Sequence, residues 1–259
     1  MPVQATTKKY KSNLVEIFSS IQGEGLLVGL RQVFIRFHGC NLDCAYCDTA
    51  AAVNIHVPEF CSVERTPGRQ DFYKVGNPVS IEDVLNVFKN WQEDWPCVHH
   101  SISLTGGEPL LQVRALKEWV PELRSILPVY LETNGVLHDS LREIINHLDL
   151  IGMDIKLPSV SGHSGFWEEH RLFMQIAARK NVFVKIVIDE GTQEWEIVRA
   201  CEIISSVDRK IPLILQPRTL NERTLGIKAV RMLEFQEIAG NLLDETRIIP
   251  QTHIFSGFL

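Results

Sequence analysis

The chain has 259 residues, 45% of them hydrophobic and 22% charged, with a formal net charge of −6 from 26 basic and 32 acidic side chains. This predicts one globular domain over residues 1–259 with a sizeable core, and the acidic balance argues against a nucleic-acid groove or an anionic membrane surface as the main partner. No apolar run approaches a membrane span and no apolar stretch follows the basic N-terminus, so a cytoplasmic protein is expected, whose six cysteines are metal-binding, catalytic or buried rather than disulfide-paired.

Residues 14–18 (LVEIF) and 32–37 (QVFIRF) read as strands, with the glycine-rich QGEG loop between them. Residues 50–79 carry Pro58, Pro67, Gly68, Gly76 and Pro78 and predict an irregular insertion. The pattern then alternates. Ser80 with Asp83 marks a helix start, and Ile81, Val84, Leu85 and Phe88 keep helical spacing. Strands are predicted at 100–104, 128–132, 149–155, 182–188, 211–215 and 246–249, separated by helices at 113–126, 138–147, 165–179, 193–206 and 221–239. Strands separated by single helices imply parallel βαβ units. Six or so of these predict an α/β fold, a partial (β/α)6-type barrel with parallel strands. Chemistry in such folds gathers where strand C-termini open into loops. The motifs CNLDCAYCDT, TGGEP, ETNG, DIK, QPRT and PQTH all fall there.

Cys40, Cys44 and Cys47 are spaced C-x3-C-x2-C. Three thiolates on one short loop can wrap a soft metal centre. A closed zinc or four-cysteine site needs a fourth ligand, and Cys61, Cys97 and Cys201 are isolated. On a four-iron cluster, three ligands leave one iron open to a cofactor. A zinc knuckle completed by Cys61 or a histidine is the alternative.

Other polar residues carry two readings each. Arg36, in the apolar run VFIRF, needs a partner, either a ligand carboxylate gripped at two points or a buried acid. Thr49 either caps a helix or ligates a hard cation. Gln22 and Glu24 match the donors and acceptor of a pyrimidine edge, or form an exposed turn. Gly106 and Gly107 permit close approach of a ligand, or make a plain turn. Lys185 faces the barrel interior, or snorkels from the core edge.

EIFSSIQGEG (16–25), FIRFHGCNLDCAYCDT (34–49) and TGGEP (105–109) together resemble the radical S-adenosylmethionine (SAM) superfamily and, within it, the 7-carboxy-7-deazaguanine synthases. The resemblance runs from about residue 14 to the C-terminus, except for 50–79. It implies a lyase of queuosine and deazapurine biosynthesis. A 5′-deoxyadenosyl radical, released from SAM at the open iron, takes hydrogen from C6 of 6-carboxy-5,6,7,8-tetrahydropterin. The ring contracts with loss of ammonia, SAM is regenerated, and Mg²⁺ assists. No side chain is catalytic in its own right.

Carried over residue by residue, the resemblance places a [4Fe-4S] cluster on Cys40, Cys44 and Cys47, and Mg²⁺ on Thr49. SAM falls to Tyr46, Cys47, Asp48, Gly107, Asp154, Ile155, Lys156, Gln216, Pro217, Arg218 and Thr219. The pterin falls to Ile21, Gln22, Gly23, Arg36, Thr105 and the carboxylate of Leu259. Asp154-Ile155-Lys156 departs from the family's frequent Ser-Pro-Lys. The implied partners are a flavodoxin- or ferredoxin-type electron donor and a second copy of the chain. A glycyl-radical activase shares the cysteine loop but lacks QGEG. A non-catalytic iron–sulfur carrier or a zinc module has no use for TGGEP.

Overall fold

The computed structural model describes residues 9–220 and 223–258; Leu259 lies outside the described residues. The strands are β1 Leu14–Ile21, β2 Arg31–Phe37, β3 Phe60–Glu64, β4 Phe72–Gly76, β5 Ser101–Gly106, β6 Val129–Thr133, β7 Leu150–Asp154, β8 Asn181–Ile188, β9 Leu213–Pro217 and β10 Thr246–Ile248. The helices are α1 Ala50–Val53, α2 Ile81–Asp94, α3 Val113–Arg124, α4 His138–Ile144, α5 Pro158–Ser161, α6 Trp167–Ala177, α7 Glu194–Ser205, α8 Ala229–Gly240 and α9 Thr252–Ser256. No described helix is long and apolar enough to cross a membrane.

All strands join one sheet in the order β10-β9-β8-β7-β6-β5-β2-β1-β3-β4. From β2 through β5 to β10 every neighbour is parallel. The helices α2, α3, α4, α6, α7 and α8 occupy the successive crossovers, so the partial (β/α)6 barrel is present. β1 runs antiparallel to β2 and adds to the barrel's edge.

The period-two alternation of strands sorts side chains onto two faces. Val33, Ile35, Leu104, Leu131, Ile151, Met153, Val184 and Ile186 face the helices and form the core. Burying each stabilises the fold by roughly 1.5–3 kcal/mol. Phe34, Arg36, Thr105, Tyr130, Glu132, Gly152, Asp154, Phe183 and Lys185 point the other way, toward a cavity. The helices supply matching apolar stripes. In α2 these are Ile81, Val84, Val87, Phe88 and Trp91. Its start is a capping box: Ser80 Oγ accepts from the Asp83 amide (3.3 Å), and Asp83 Oδ2 accepts from the Ser80 amide (3.0 Å).

Two expectations need correction. Residues 50–79 are not irregular: they hold α1 and the antiparallel hairpin β3–β4, which extends the sheet beyond β1. The strands alternate, with Cys61 and Val63 buried and Phe60 and Ser62 turned the opposite way. The prolines and glycines that suggested irregular chain fall at or near the ends of these strands. The helix predicted at 221–239, α8, begins at Ala229 rather than 221. Thr219 bridges Leu225, and the Gly226 amide donates to the Arg218 carbonyl (2.8 Å), so the chain first makes a tight excursion beyond β9.

His170 on α6 is fully buried, with Nε2 3.1 Å from the Asn134 carbonyl, and burial holds its pKa at about 4 against an ordinary 6.5. The unfolded chain therefore binds the proton first. Stability is intact above pH 6.5 and is lost as pH falls toward 4. At about 1.4 kcal/mol per pH unit, the loss from this group is on the order of 3 kcal/mol. Urea unfolding of cluster-free protein at pH 7 and pH 4.5 measures it, and His170→Gln is expected to flatten that slope.

Candidate active site

The inward side chains of β1, β2 and β5 to β9 surround a cavity of about 670 Å³. Cys40, Cys44 and Cys47 lie at one end of it, on the loop after β2. That loop is braced from several sides. The Gly39 amide donates to the Ala52 carbonyl (2.7 Å), the Ala45 amide to the Ser161 carbonyl (3.0 Å), and Asn134 Nδ2 to Asn41 Oδ1 (2.8 Å). The two TGGEP glycines belong to this bracing. A Cβ on Gly106 would overlap the Phe37 backbone, and one on Gly107 the Gly39 carbonyl. Both are glycine first because β5 presses its backbone against the root of the cysteine loop. The Glu108 amide seals the contact by donating to the Gly39 carbonyl (2.8 Å).

All three thiols line the cavity, and three ligands on one loop fit a multi-iron cluster that keeps one iron open to a cofactor. Burial pushes the Cys40 and Cys44 thiols up, Cys44 to about 11, so ligation must expel protons. The remaining cysteines are elsewhere: Cys61 and Cys201 are buried in the core, and Cys97 is exposed.

Glu108 is fully buried. It accepts from the Leu110 amide (3.0 Å), the Asn134 amide (2.8 Å) and Thr133 Oγ1 (3.0 Å), tying TGGEP to the ETNG loop. Burial lifts its carboxyl to about 7, although these hydrogen bonds pull the other way.

A band of charge crosses the middle of the cavity. Register places Asp154 opposite Lys185. Asp154 Oδ2 lies 2.7 Å from Lys156 Nζ and 3.6 Å from Lys185 Nζ. Lys185 also pairs with Glu24 of the QGEG loop. Burial opposes the ammonium of Lys185, yet Glu24 and Asp154 hold its pKa well above the ordinary value. Burial alone would raise the Glu24 carboxyl; Lys185 outweighs it and holds it at about 2. Lys156 reaches Tyr46 as well, with Nζ 3.1 Å from the hydroxyl and 5.2 Å from the ring centroid.

Beside this band Gln22 and Thr105 converge on Glu132. Gln22 Nε2 donates to Glu132 Oε1 (2.6 Å), and Thr105 Oγ1 donates to Oε2 (2.6 Å). Arg36 faces the same space. Cross-strand register sets Glu16 opposite it, and Arg36 Nε donates to Glu16 Oε1 (2.7 Å). The alternative reading of Arg36, a pair with an acid of the chain, is therefore met, while the guanidinium still lines the cavity.

Thr49 precedes α1 but makes no side-chain cap. Its hydroxyl donates instead to Asp48 Oδ1 (2.9 Å). Asp48 Oδ2 and Glu24 Oε1 both accept from Gln251 Nε2 (2.7 Å each). Glu24, Asp48 and His253 bring one ligand atom each within 4.8 Å of one another, with the Gln251 amide between the carboxylates. Gln251, His253 and Ile254, after β10, thus form part of the cavity wall.

Of the sequence-predicted residues, Ile21, Gln22, Gly23, Arg36, the three cysteines, Tyr46, Asp48, Thr49, Thr105, Gly107, Asp154, Lys156, Gln216, Arg218 and Thr219 all line one cavity. Ile155 and Pro217 do not. Ile155 is sealed in the core, its amide donating to the Lys185 carbonyl (2.9 Å), and Pro217 is buried at the end of β9. Sequence reasoning did not single out Glu16, Glu132, Asn134 or Gln251. Glu132 and Gln251 sat inside motifs already noted, ETNG and PQTH, and the strand periodicity that puts Tyr130 inward also puts Glu132 inward.

Comparison with known proteins identifies the family. A model of the radical SAM superfamily matches residues 34–205. A 7-carboxy-7-deazaguanine synthase of Geobacter sulfurreducens is 58% identical over 96% of this chain and 98% of its own length. One from Methanopyrus kandleri is 33% identical over 95% of this chain and 94% of its own. Among solved structures, QueE from Escherichia coli superposes with a TM-score of 0.58 at 20% identity, covering 95% of each chain. The fold, the cysteine loop and the full-length similarity place this chain in the 7-carboxy-7-deazaguanine synthase family of the radical SAM superfamily.

Proposed function

We propose that the chain converts 6-carboxy-5,6,7,8-tetrahydropterin to 7-carboxy-7-deazaguanine with release of ammonia, as a Mg²⁺-assisted lyase. One observation carries the reading: the cysteine loop shares its cavity with the Glu132 carboxylate, held by Gln22 and Thr105, and with the Arg36 guanidinium one strand beyond Thr105. A pterin's pyrimidine edge offers N–H donors that Glu132 and Glu24 accept, and its carboxylate suits Arg36. With Nε held by Glu16, Arg36 is fixed in orientation and presents its outer nitrogens.

Cys40, Cys44 and Cys47 hold the cluster that, with SAM bound, supplies the hydrogen-abstracting radical. SAM lies along Tyr46, Asp48, Gly107, Asp154, Lys156, Gln216, Arg218 and Thr219, with Ile155 and Pro217 packed behind that wall. Gln216 supports this placement: its Oε1 is buried without a partner on the cavity wall, ready for a ligand N–H. Thr49 is the Mg²⁺ ligand. Its proton is committed to Asp48, which leaves the oxygen lone pairs free for a hard cation. Reducing power comes from a flavodoxin- or ferredoxin-type donor, and the working unit is a homodimer.

The test is anaerobic turnover of reconstituted protein with SAM, Mg²⁺, a reductant and the carboxypterin. Ammonia and a deazapurine acid are expected in equal amounts. SAM cleavage without either product rejects the substrate while keeping the superfamily chemistry. Arg36→Lys keeps the charge but loses two-point recognition, so KM for the pterin is expected to rise about tenfold or more with kcat little changed.

A further inference from the structure

We propose that Gln251 is a positioning residue that latches the segment after β10 into the cavity wall by fixing Glu24 and Asp48 at once. A side-chain amide carries two N–H bonds that diverge and no charge. Gln251 uses both, one toward Glu24 Oε1 and one toward Asp48 Oδ2, each at 2.7 Å. A lysine there would compete with Lys185 for Glu24; a carboxylate would repel both partners. Gln251 is itself 8% exposed, so these bonds are largely shielded from water.

The latch joins three distant parts of the chain. Glu24 stands on the loop after β1, Asp48 follows the last cysteine, and Gln251 follows β10. The neighbouring contacts run the same way. The Thr252 amide and Oγ1 both donate to the Gly23 carbonyl, at 2.9 and 3.2 Å. His253 packs so closely on Gly23 that a Cβ there would overlap its ring, so Gly23 is the floor on which this segment rests.

Gln251 also acts at one remove. Asp48 Oδ2 is held by Gln251, which leaves Asp48 Oδ1 to accept the Thr49 proton. On the other side, the Glu24 oxygen not engaged by Lys185 is the one Gln251 takes. Losing the amide therefore loosens the carboxylate that faces substrate and the hydroxyl that faces the cation together. The effect on turnover rests on the reaction proposed above; the latch does not.

Reconstituted wild type, Gln251→Leu, Gln251→Asn and Gln251→Glu are compared in two assays. In limited chymotrypsin digestion the Phe255 side chain is already exposed, but cleavage after it requires α9 to unwind and leave Gly23, and the rate follows the open population when closing is fast. Gln251→Leu is expected to cut about tenfold faster. Gln251→Glu, which sets a third carboxylate against Glu24 and Asp48, is expected to cut faster still at pH 7 than at pH 5. In turnover, Gln251→Leu is expected to raise KM for the pterin at least tenfold while brown colour stays at the wild-type level; Gln251→Asn, which keeps the amide, recovers part of the loss. Cleavage and KM both within twofold of wild type overturn the proposal, as does faster cleavage with unchanged KM, or a loss of cluster shared by all three variants. If wild type forms no deazapurine, the reaction proposal fails alone, and the cleavage rates still decide the latch.

Discussion

Cys40→Ala, Cys44→Ala and Cys47→Ala each yield a colourless protein with no detectable SAM cleavage after anaerobic reconstitution. Each thiolate anchors one iron, and removing one leaves two ligands on a loop whose bracing does not allow it to close over the gap. No spare thiol can replace the loss. Cys61 and Cys201 are fully buried in the core on the helix side of the sheet, and Cys97 lies outside the cavity lining. Cys61→Ala and Cys201→Ala are the matched controls. They retain colour and cleavage and lose only packing, about 1 kcal/mol each. Absorbance near 400 nm, labile sulfide and 5′-deoxyadenosine release read the outcome. A brown, SAM-cleaving Cys44→Ala protein would falsify the ligand assignment.

Lys185→Met is the substitution with the largest expected effect on the folded cavity itself. The side chain fits the same space, so packing is kept while the charge is lost. Asp154 then keeps Lys156, but Glu24 loses its ammonium and keeps only the Gln251 amide and the nearby His253. Breaking a buried pair by removing one partner costs about 3–5 kcal/mol. The lower end, on the order of 3 kcal/mol at pH 7, applies because the cavity admits water. The pH dependence distinguishes this cause from misfolding. In wild type the Glu24 carboxyl sits at about 2, below its ordinary 4.5, so it adds stability above pH 4.5 that fades as pH falls toward 2. Without Lys185 burial dominates and lifts Glu24 above 4.5, which penalises the charged form and is relieved by protonation. The stability gap between variant and wild type should therefore be wide at pH 7 and narrower at pH 4.5, read by urea unfolding at both. A gap that does not change with pH would show that Glu24 is not the group released. Activity should fall with it, since Glu24 loses its fixed position.

Much of the fold is legible in the sequence because its strands are short apolar runs, each followed by a polar motif and one helix. That pattern admits few topologies, and it correctly gathers the polar motifs at one end of the barrel. The hairpin β3–β4 escaped it because a five-residue alternating strand such as Phe60–Glu64, flanked by Pro58 and Pro67, carries too little periodicity to outweigh its punctuation. For the site, motif spacing finds the cysteines, and the apolar neighbours of Arg36 mark it as needing a partner. The partner itself, Glu16, is fixed by antiparallel register and by a bulge between Leu14 and Glu16 that no local pattern displays. Gln251 is the extreme case. Its partners lie 203 and 227 positions away, and only tertiary structure brings an ordinary glutamine between two carboxylates.

The hairpin also bears on how the protein behaves in concentrated solution. Without it, β1 would end the sheet as an eight-residue edge with a row of unpaired amides and carbonyls, a ready template for pairing with another chain. β3 covers part of that row, and the sheet instead ends on β4, which is five residues long, carries Lys74 on its exposed face and closes on Gly76. A five-residue border offers fewer free backbone groups than β1 would, with Phe60 and Phe72 left exposed on the hairpin. A segment that contributes no strand residue to the cavity wall thus shortens the free edge of the long sheet on that side.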